Sequence, residues 1–192
     1  MVSAGTAEDI DVLIRKCASG DEKAIKTVYK NYYGKMLNVC LKYAANREEA
    51  KDALQEGFIS AFKNIGRFEF QGSFEGWLRR IMINTSINML KKRMRGPEYF
   101  NRDLLTVTMQ KDPSQIDDSI IAKINAEEIL SYIQNLPPVY RIVFNLSAIE
   151  GYSHKEIAEM LNITESTSRA NLAKARQKLQ SIILLSSSII NT

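Results

Sequence analysis

The sequence predicts an all-α protein: two small helical domains joined by an extended linker, the second domain ending in a helix-turn-helix. Three observations predict this. No stretch alternates apolar and polar residues with the period of two expected of a half-buried strand. Apolar residues recur instead at helical spacings of three and four. The helical stretches are bounded by residues suited to capping and stopping a helix. Between residues 98 and 124 the periodicity lapses around Asp112-Pro113-Ser114, and so long an irregular stretch does not belong inside one compact domain. The expected divisions are residues 1–97, a linker over 98–124, and residues 125–192.

In the first domain, Ile10, Leu13, Ile14 and Cys17 mark a helix that stops at Gly20. Asp21 caps a second helix, with Ile25, Val28, Tyr29, Tyr32, Met36 and Cys40 on its inner face. Asn46 and Glu49 have the spacing of a capping pair for a third helix. Its apolar positions are Ala50, Ala53, Leu54, Gly57, Ala61, Phe62 and Ile65. Ser73 caps a fourth, which runs through Trp77, Leu78 and Ile81 toward Met94 until Gly96-Pro97 breaks it. Four such helices with short joints hold enough apolar surface for a core of their own.

In the second domain, Ala126 to Gln134 is helical. Leu136-Pro137-Pro138 interrupts, and proline suits the start of the next helix. That helix continues through Tyr140, Val143, Phe144 and Ile149 to a stop at Gly151. Ser153 and Glu156 then have capping-box spacing, and Ile157, Ala158 and Leu161 give a short helix one apolar face. Asn162 is suited to the left-handed conformation that ends such a helix, and Thr164 to capping the next. Leu172, Ala175, Leu179, Ile182 and Ile183 form the inner face of that last helix, and Glu165, Arg169, Ala173 and Arg176 its outer face. The apolar tail extends it.

Composition bounds the function. The chain has 192 residues, 45% of them hydrophobic, and a formal net charge of +4. Residues 1–97 carry 17 basic and 11 acidic residues (+6), residues 98–124 carry 3 and 5 (−2), and residues 125–192 carry 6 and 6 (zero). Positive charge is therefore concentrated in the first domain and, locally, on the last helix. Local patches of that kind attract nucleic acid even when the total is modest. Cys17 and Cys40 fall on apolar helix faces and read as buried, reduced thiols of a cytoplasmic protein. His154 is the one histidine and there is no CxxC, so no metal site or cofactor is expected. No apolar run approaches a membrane span, and the N-terminus lacks the basic start and apolar core of a signal peptide.

Three stretches carry candidate function. Asp52, Gln55 and Glu56 share one helix face at spacings of three and four. Such a face is a solvated surface, acid–base groups or half of a metal site with no histidine nearby to complete either, or a contact for basic residues of a partner protein. From Phe68 to Trp77 there are four aromatics, Phe68, Phe70, Phe74 and Trp77, beside a Gln71-Gly72-Ser73 turn. Arg79, Arg80, Asn84, Asn88, Lys91, Lys92, Arg93 and Arg95 follow on one helix. Rings interleaved with amide and basic groups suit unpaired bases, which stack on rings. Trp77 and Phe74 fit the core by spacing. Phe68, in the loop, has no helical register to turn it inward. Finally, from Ser166 to Leu179 there are four basic residues, Arg169, Lys174, Arg176 and Lys178, and no acid. A helix of that kind after a tight turn suits the major groove. The alternative for that stretch is the solvated face of an ordinary helical hairpin.

In order, DALQEGFISAFKNI, SFEGWLRRIMIN, LPPVYRIVFNLSAIEGYSHKEIAEMLNI and TSRANLAKAR resemble bacterial sigma factors of the extracytoplasmic-function group, the smallest members of the sigma-70 family. The resemblance extends from about Ile10 to Leu185. It implies a non-enzymatic promoter-specificity subunit that binds core RNA polymerase, recognises and melts promoter DNA, takes no small-molecule substrate, and has an anti-sigma factor as partner. Asp52, Gln55 and Glu56 would bind the clamp helices of the largest polymerase subunit. Phe68, Glu69, Phe70 and Gln71, with Asn84, would capture a flipped base of the minus-ten element. Arg79, Arg80, Asn88, Lys91 and Lys92 would line the promoter there. Ser166, Thr167, Arg169, Ala170, Ala173 and Lys174 would read the minus-thirty-five element, with Arg176 on phosphate. The acidic linker would thread toward the RNA exit path and active-site cleft. Ser168 departs from the buried valine usual in such helices. Ala170, Asn171 and Ala173 replace longer groups, and Glu69 and Phe70 are not the commonest loop residues. A stand-alone helix-turn-helix regulator is the alternative, though it leaves the aromatic loop and the Asp52 face unexplained.

Overall fold

The computed structural model describes residues 7–93 and 125–190; Arg95, Gly96-Pro97 and the linker lie outside them. All regular structure among the described residues is helical. The chain divides into two compact units, residues 1–89 and 90–192.

The first unit is built from α1 (Ala7–Ala18), α2 (Glu22–Tyr43), α3 (Arg47–Asn64), a 3-10 turn (Ile65–Arg67) and all but the last four residues of α4 (Phe74–Arg93). The starts of α2, α3 and α4 each have a chemical cause. Gly20 adopts φ +84°, which ends α1, and Asp21 Oδ1 accepts from the Lys23 and Ala24 amides. Asn46 Oδ1 accepts from the Glu49 amide at 2.9 Å, and Ser73 Oγ from the Gly76 amide at 3.1 Å. Helix α2 packs against both α1 and α3. Its burial is accordingly wider than one stripe: Ala24, Leu37, Val39, Leu41 and Tyr43 join Val28, Met36 and Cys40 in the core. Tyr29, expected inside, is exposed, its ring lying against Tyr33 and Phe58 at 5.5 and 4.7 Å. On α3, Ala50, Ala53, Leu54, Gly57, Phe58 and Ala61 are buried. Gly57 permits the approach of α4, because a Cβ there would collide with the Met82 sulfur.

The second unit contains α5 (Ala126–Gln134), α6 (Pro138–Phe144), one π-helical turn (Asn145–Ile149), α7 (His154–Leu161) and α8 (Glu165–Ile190). Asn125 and Glu128 form a reciprocal capping box on α5, and Ser153 and Glu156 form another on α7. Asn162 ends α7 in the left-handed conformation, φ 57° and ψ 51°. Thr164 Oγ1 accepts from the Thr167 amide at 3.0 Å and starts α8. Helix α8 packs on α5, α6 and α7. Ile142, Val143, Leu146, Ile157, Leu161, Leu172 and Ala175 form the apolar core, and the side chains of Arg141, Asn145, Ser168 and Asn171 are buried among them.

Candidate nucleic-acid interface

In α8 the first turns after the Thr164 cap present Ser166, Arg169, Ala170 and Ala173 to solvent, followed by Arg176 one turn on. Thr167 and Lys174 are half-buried at the edge of this face. Ser168, Leu172 and Ala175 point inward. The division follows from helical spacing: 169, 173 and 176 fall on one side, and 168, 172 and 175 on the other. Arg169 donates to Glu165 Oε2 at 2.8 Å, one turn back. His154 Nδ1 lies 2.9 Å from Ser168 Oγ, so a polar contact fastens α7 to α8 where an apolar side chain would otherwise pack.

In the first unit, the 68–73 loop and α4 bring together most of the second candidate set. Glu69, Gln71, Arg80, Asn84 and Asn88 are exposed, and Arg79 is half-buried with an interaction partner. Arg80, Asn84 and Asn88 stand four apart and form one row along α4 that ends in the basic last turn with Lys91, Lys92 and Arg93. Phe68 requires a correction. Its ring is only 6% exposed, packed against Phe74 at 5.5 Å and Trp77 at 5.6 Å. The loop has no helical period to signal this; the burial comes from Phe74 and Trp77 of α4, against which the ring packs. Trp77, assigned to the core, is half-buried. Phe70 is the loop ring left partly open, 5.1 Å from Phe68 with φ 58°. The guanidinium carbon of Arg15 on α1 sits 4.4 Å from the centre of the Phe70 ring. Arg15 is absent from the set read from sequence, where it looks like any solvated helix residue.

On α3, Asp52, Gln55 and Glu56 are all exposed, opposite Ala53, Leu54, Gly57 and Phe58. Ile59, 54% exposed, continues the same stripe three and four residues on. The sequence carried a signal for it, an apolar residue off the inner face. Lys51 pairs with Glu48 at 3.0 Å at the edge of this surface. Between α2 and α4, Lys35 Nζ donates to Glu75 Oε2 at 2.6 Å, and this hydrogen bond raises the Lys35 pKa. Burial raises Cys40 to about 11 and also raises Cys17, so both behave as neutral, free thiols.

A basic helix-turn-helix in one unit, with an amide-and-aromatic surface and an acidic helix face in the other, defines a helical DNA-binding protein with a second contact surface. Comparison with known proteins gives the family. The sigma-70 region 2 model matches residues 28–96 and the sigma-70 region 4 model residues 126–179. The chain is 30% identical to the ECF RNA polymerase sigma factor SigW of Bacillus subtilis, over 87% of this chain and 92% of that one. It is 29% identical to the RNA polymerase sigma-H factor of Pseudomonas aeruginosa, over 91% and 93% respectively. Its fold is similar to that of the sigma factor RpoE of Bartonella quintana, solved with the anti-sigma factor NepR: TM-score 0.51, 19% identity, 84% of this chain and 97% of that one. The chain belongs to the extracytoplasmic-function group of the sigma-70 family. It is therefore a non-enzymatic transcription initiation factor that works with core RNA polymerase at promoter DNA, not a stand-alone regulator. No described helix is long and apolar enough to cross a membrane.

Proposed function

We propose that the chain divides its work as a sigma factor among three faces. The first domain, over residues 1–97, binds the clamp helices of the largest polymerase subunit through Asp52, Gln55 and Glu56. It holds the minus-ten element with Glu69, Phe70, Gln71 and Asn84, while Arg79, Arg80, Asn88, Lys91 and Lys92 follow the promoter strand. Phe68 serves that loop from beneath, as a buried support. The second domain, over residues 125–192, reads the minus-thirty-five element with Ser166, Thr167, Arg169, Ala170, Ala173 and Lys174, and Arg176 contacts phosphate. The segment 98–124 links the two domains.

The observation that carries this reading is the α8 face. Arg169, Ala170, Ala173 and Arg176 are exposed on a helix whose opposite side is core, directly after a left-handed turn at Asn162. Small residues let the helix lie close to base edges, and arginine supplies the donors that read them. No acid interrupts residues 166–179.

Two buried free thiols and a polymerase partner support action in the cytoplasm. The complex of the Bartonella protein with its anti-sigma factor supports an inhibitory protein partner here too. The decisive experiment combines Gln55→Ala with Glu56→Arg and titrates the purified variant against core polymerase. Loss of binding with unchanged helicity is expected. Unchanged affinity would overturn the assignment of the α3 face.

A further inference from the structure

We propose that Arg15, on a helix outside every site the sequence points to, is a positioning residue for the minus-ten loop, stacking on Phe70 and holding it in the shape that receives an unstacked base. This rests on the base-capture reading of residues 68–73 and Asn84.

The backbone of Phe70 lies at φ 58°, in the left-handed region that bulky side chains rarely occupy. Gly72, two residues on, is also left-handed at φ +83°, so the loop turns sharply twice within three residues. Glycine tolerates this freely; phenylalanine does so only where its surroundings over-determine it. Two contacts do so here. The Phe70 ring rests on Phe68 at 5.1 Å, and Phe68 is itself buried against Phe74 and Trp77 of α4. The Arg15 guanidinium stands 4.4 Å from the centre of the Phe70 ring.

Helix α1 is well placed to act as the fixed side of this clamp. Ile14 and Cys17 bury it against its neighbours, and it packs on the 3-10 turn that leads into the loop. Arg15 therefore couples α1 to the loop tip through a cation–π contact. A guanidinium is planar, weakly hydrated and able to stack on rings and bases alike. A base entering the loop meets Phe70 already oriented, so part of the ordering cost of capture is met before DNA arrives.

The test uses holoenzyme reconstituted from the full chain and core polymerase, binding a single-stranded minus-ten oligonucleotide. Arg15→Gln is expected to weaken binding about tenfold with the melting temperature of the chain unchanged. Arg15→Lys, which keeps the charge and loses the plane, falls between it and the wild type. Phe70→Gly keeps the left-handed backbone without the ring, and in that background Arg15→Gln should cost less than about twofold. The salt slope of binding should stay constant across the series. An equal loss in both backgrounds, or a salt slope reduced by about one charge, makes Arg15 a direct phosphate contact and overturns the proposal. No effect of Arg15→Gln while Phe70→Gly and Asn84→Ala both weaken binding overturns it too, leaving base capture intact. If Phe70→Gly and Asn84→Ala are themselves without effect, base capture fails and the positioning role falls with it.

Discussion

His154 Nδ1 and Ser168 Oγ, fourteen residues apart in sequence and 2.9 Å apart in space, join the first residue of α7 to a fully buried position of α8. The two helices are thus set against one another by a polar contact as well as by the apolar core they share, in which Ile157 and Leu172 are buried. Replacing His154 by Ala leaves a buried hydroxyl without its side-chain partner, at an expected cost of about 1 kcal/mol. In a Ser168→Ala background the same substitution should cost little. Hydrogen exchange of the α7 and α8 amides measures both, and equal effects in the two backgrounds would show that the contact contributes nothing.

Phe68 and Trp77 should exchange the rank their spacing assigns them. Phe68 is buried and Trp77 half-buried, so Phe68→Ala should destabilise the chain by about 3–5 kcal/mol, the range for deleting a buried ring, and Trp77→Ala by less. Denaturant titration followed by circular dichroism decides the order. A larger loss for Trp77→Ala would contradict the packing.

Arg169 and Arg176 should fail differently. The Arg169–Glu165 pair is exposed, and an exposed pair one turn apart is worth only about 0.3–0.5 kcal/mol, so Arg169 can leave it for a base. Arg169→Ala is expected to weaken specific upstream promoter DNA by about 1–3 kcal/mol. Arg176→Ala should weaken all sequences alike and flatten the salt slope by about one. Titrations on specific and random duplexes at several salt concentrations separate the two. Identical behaviour would mean that α8 docks in another orientation.

Alkaline pH should expose the buried thiol of Cys40. Burial raises its pKa from 9.0 to about 11 in the folded chain. Below pH 9 both states hold the proton and the thiol contributes no pH dependence. Between 9 and 11 the unfolded thiol releases it while the folded one keeps it, so stability falls as pH rises, with a slope of about 1 kcal/mol per pH unit at most. Comparison with Cys40→Ala isolates this contribution from the tyrosines and lysines that ionise in the same range. Parallel stability curves for the two proteins would refute it.

Legibility tracked local chemistry. The Asp21, Asn46, Ser73, Ser153 and Thr164 caps and the left-handed Asn162 were readable because each depends on a few neighbouring residues. The outward positions of Asp52, Gln55, Glu56, Arg169 and Arg176 were readable because helical spacing fixes them once the core face is known. Phe68 was misread because its burial depends on α4 and not on its own neighbours. The π turn at Asn145–Ile149 left no trace, since one extra residue in a helix changes no composition. The buried Arg141 and the Arg15–Phe70 contact also depend on residues that meet only in the folded chain.

The half-buried Trp77 is the one tryptophan in the chain, with its ring 5.6 Å from both Phe68 and Phe74. Those two rings underlie the loop whose tip is Phe70. The protein thus carries an intrinsic fluorophore at the foot of its candidate base pocket, with none in the second unit to obscure it. Excited at the red edge of tryptophan absorption, where the eight tyrosines do not absorb, the unlabelled chain emits from that corner alone, so its response to a short oligonucleotide can be followed in real time without a dye on either molecule.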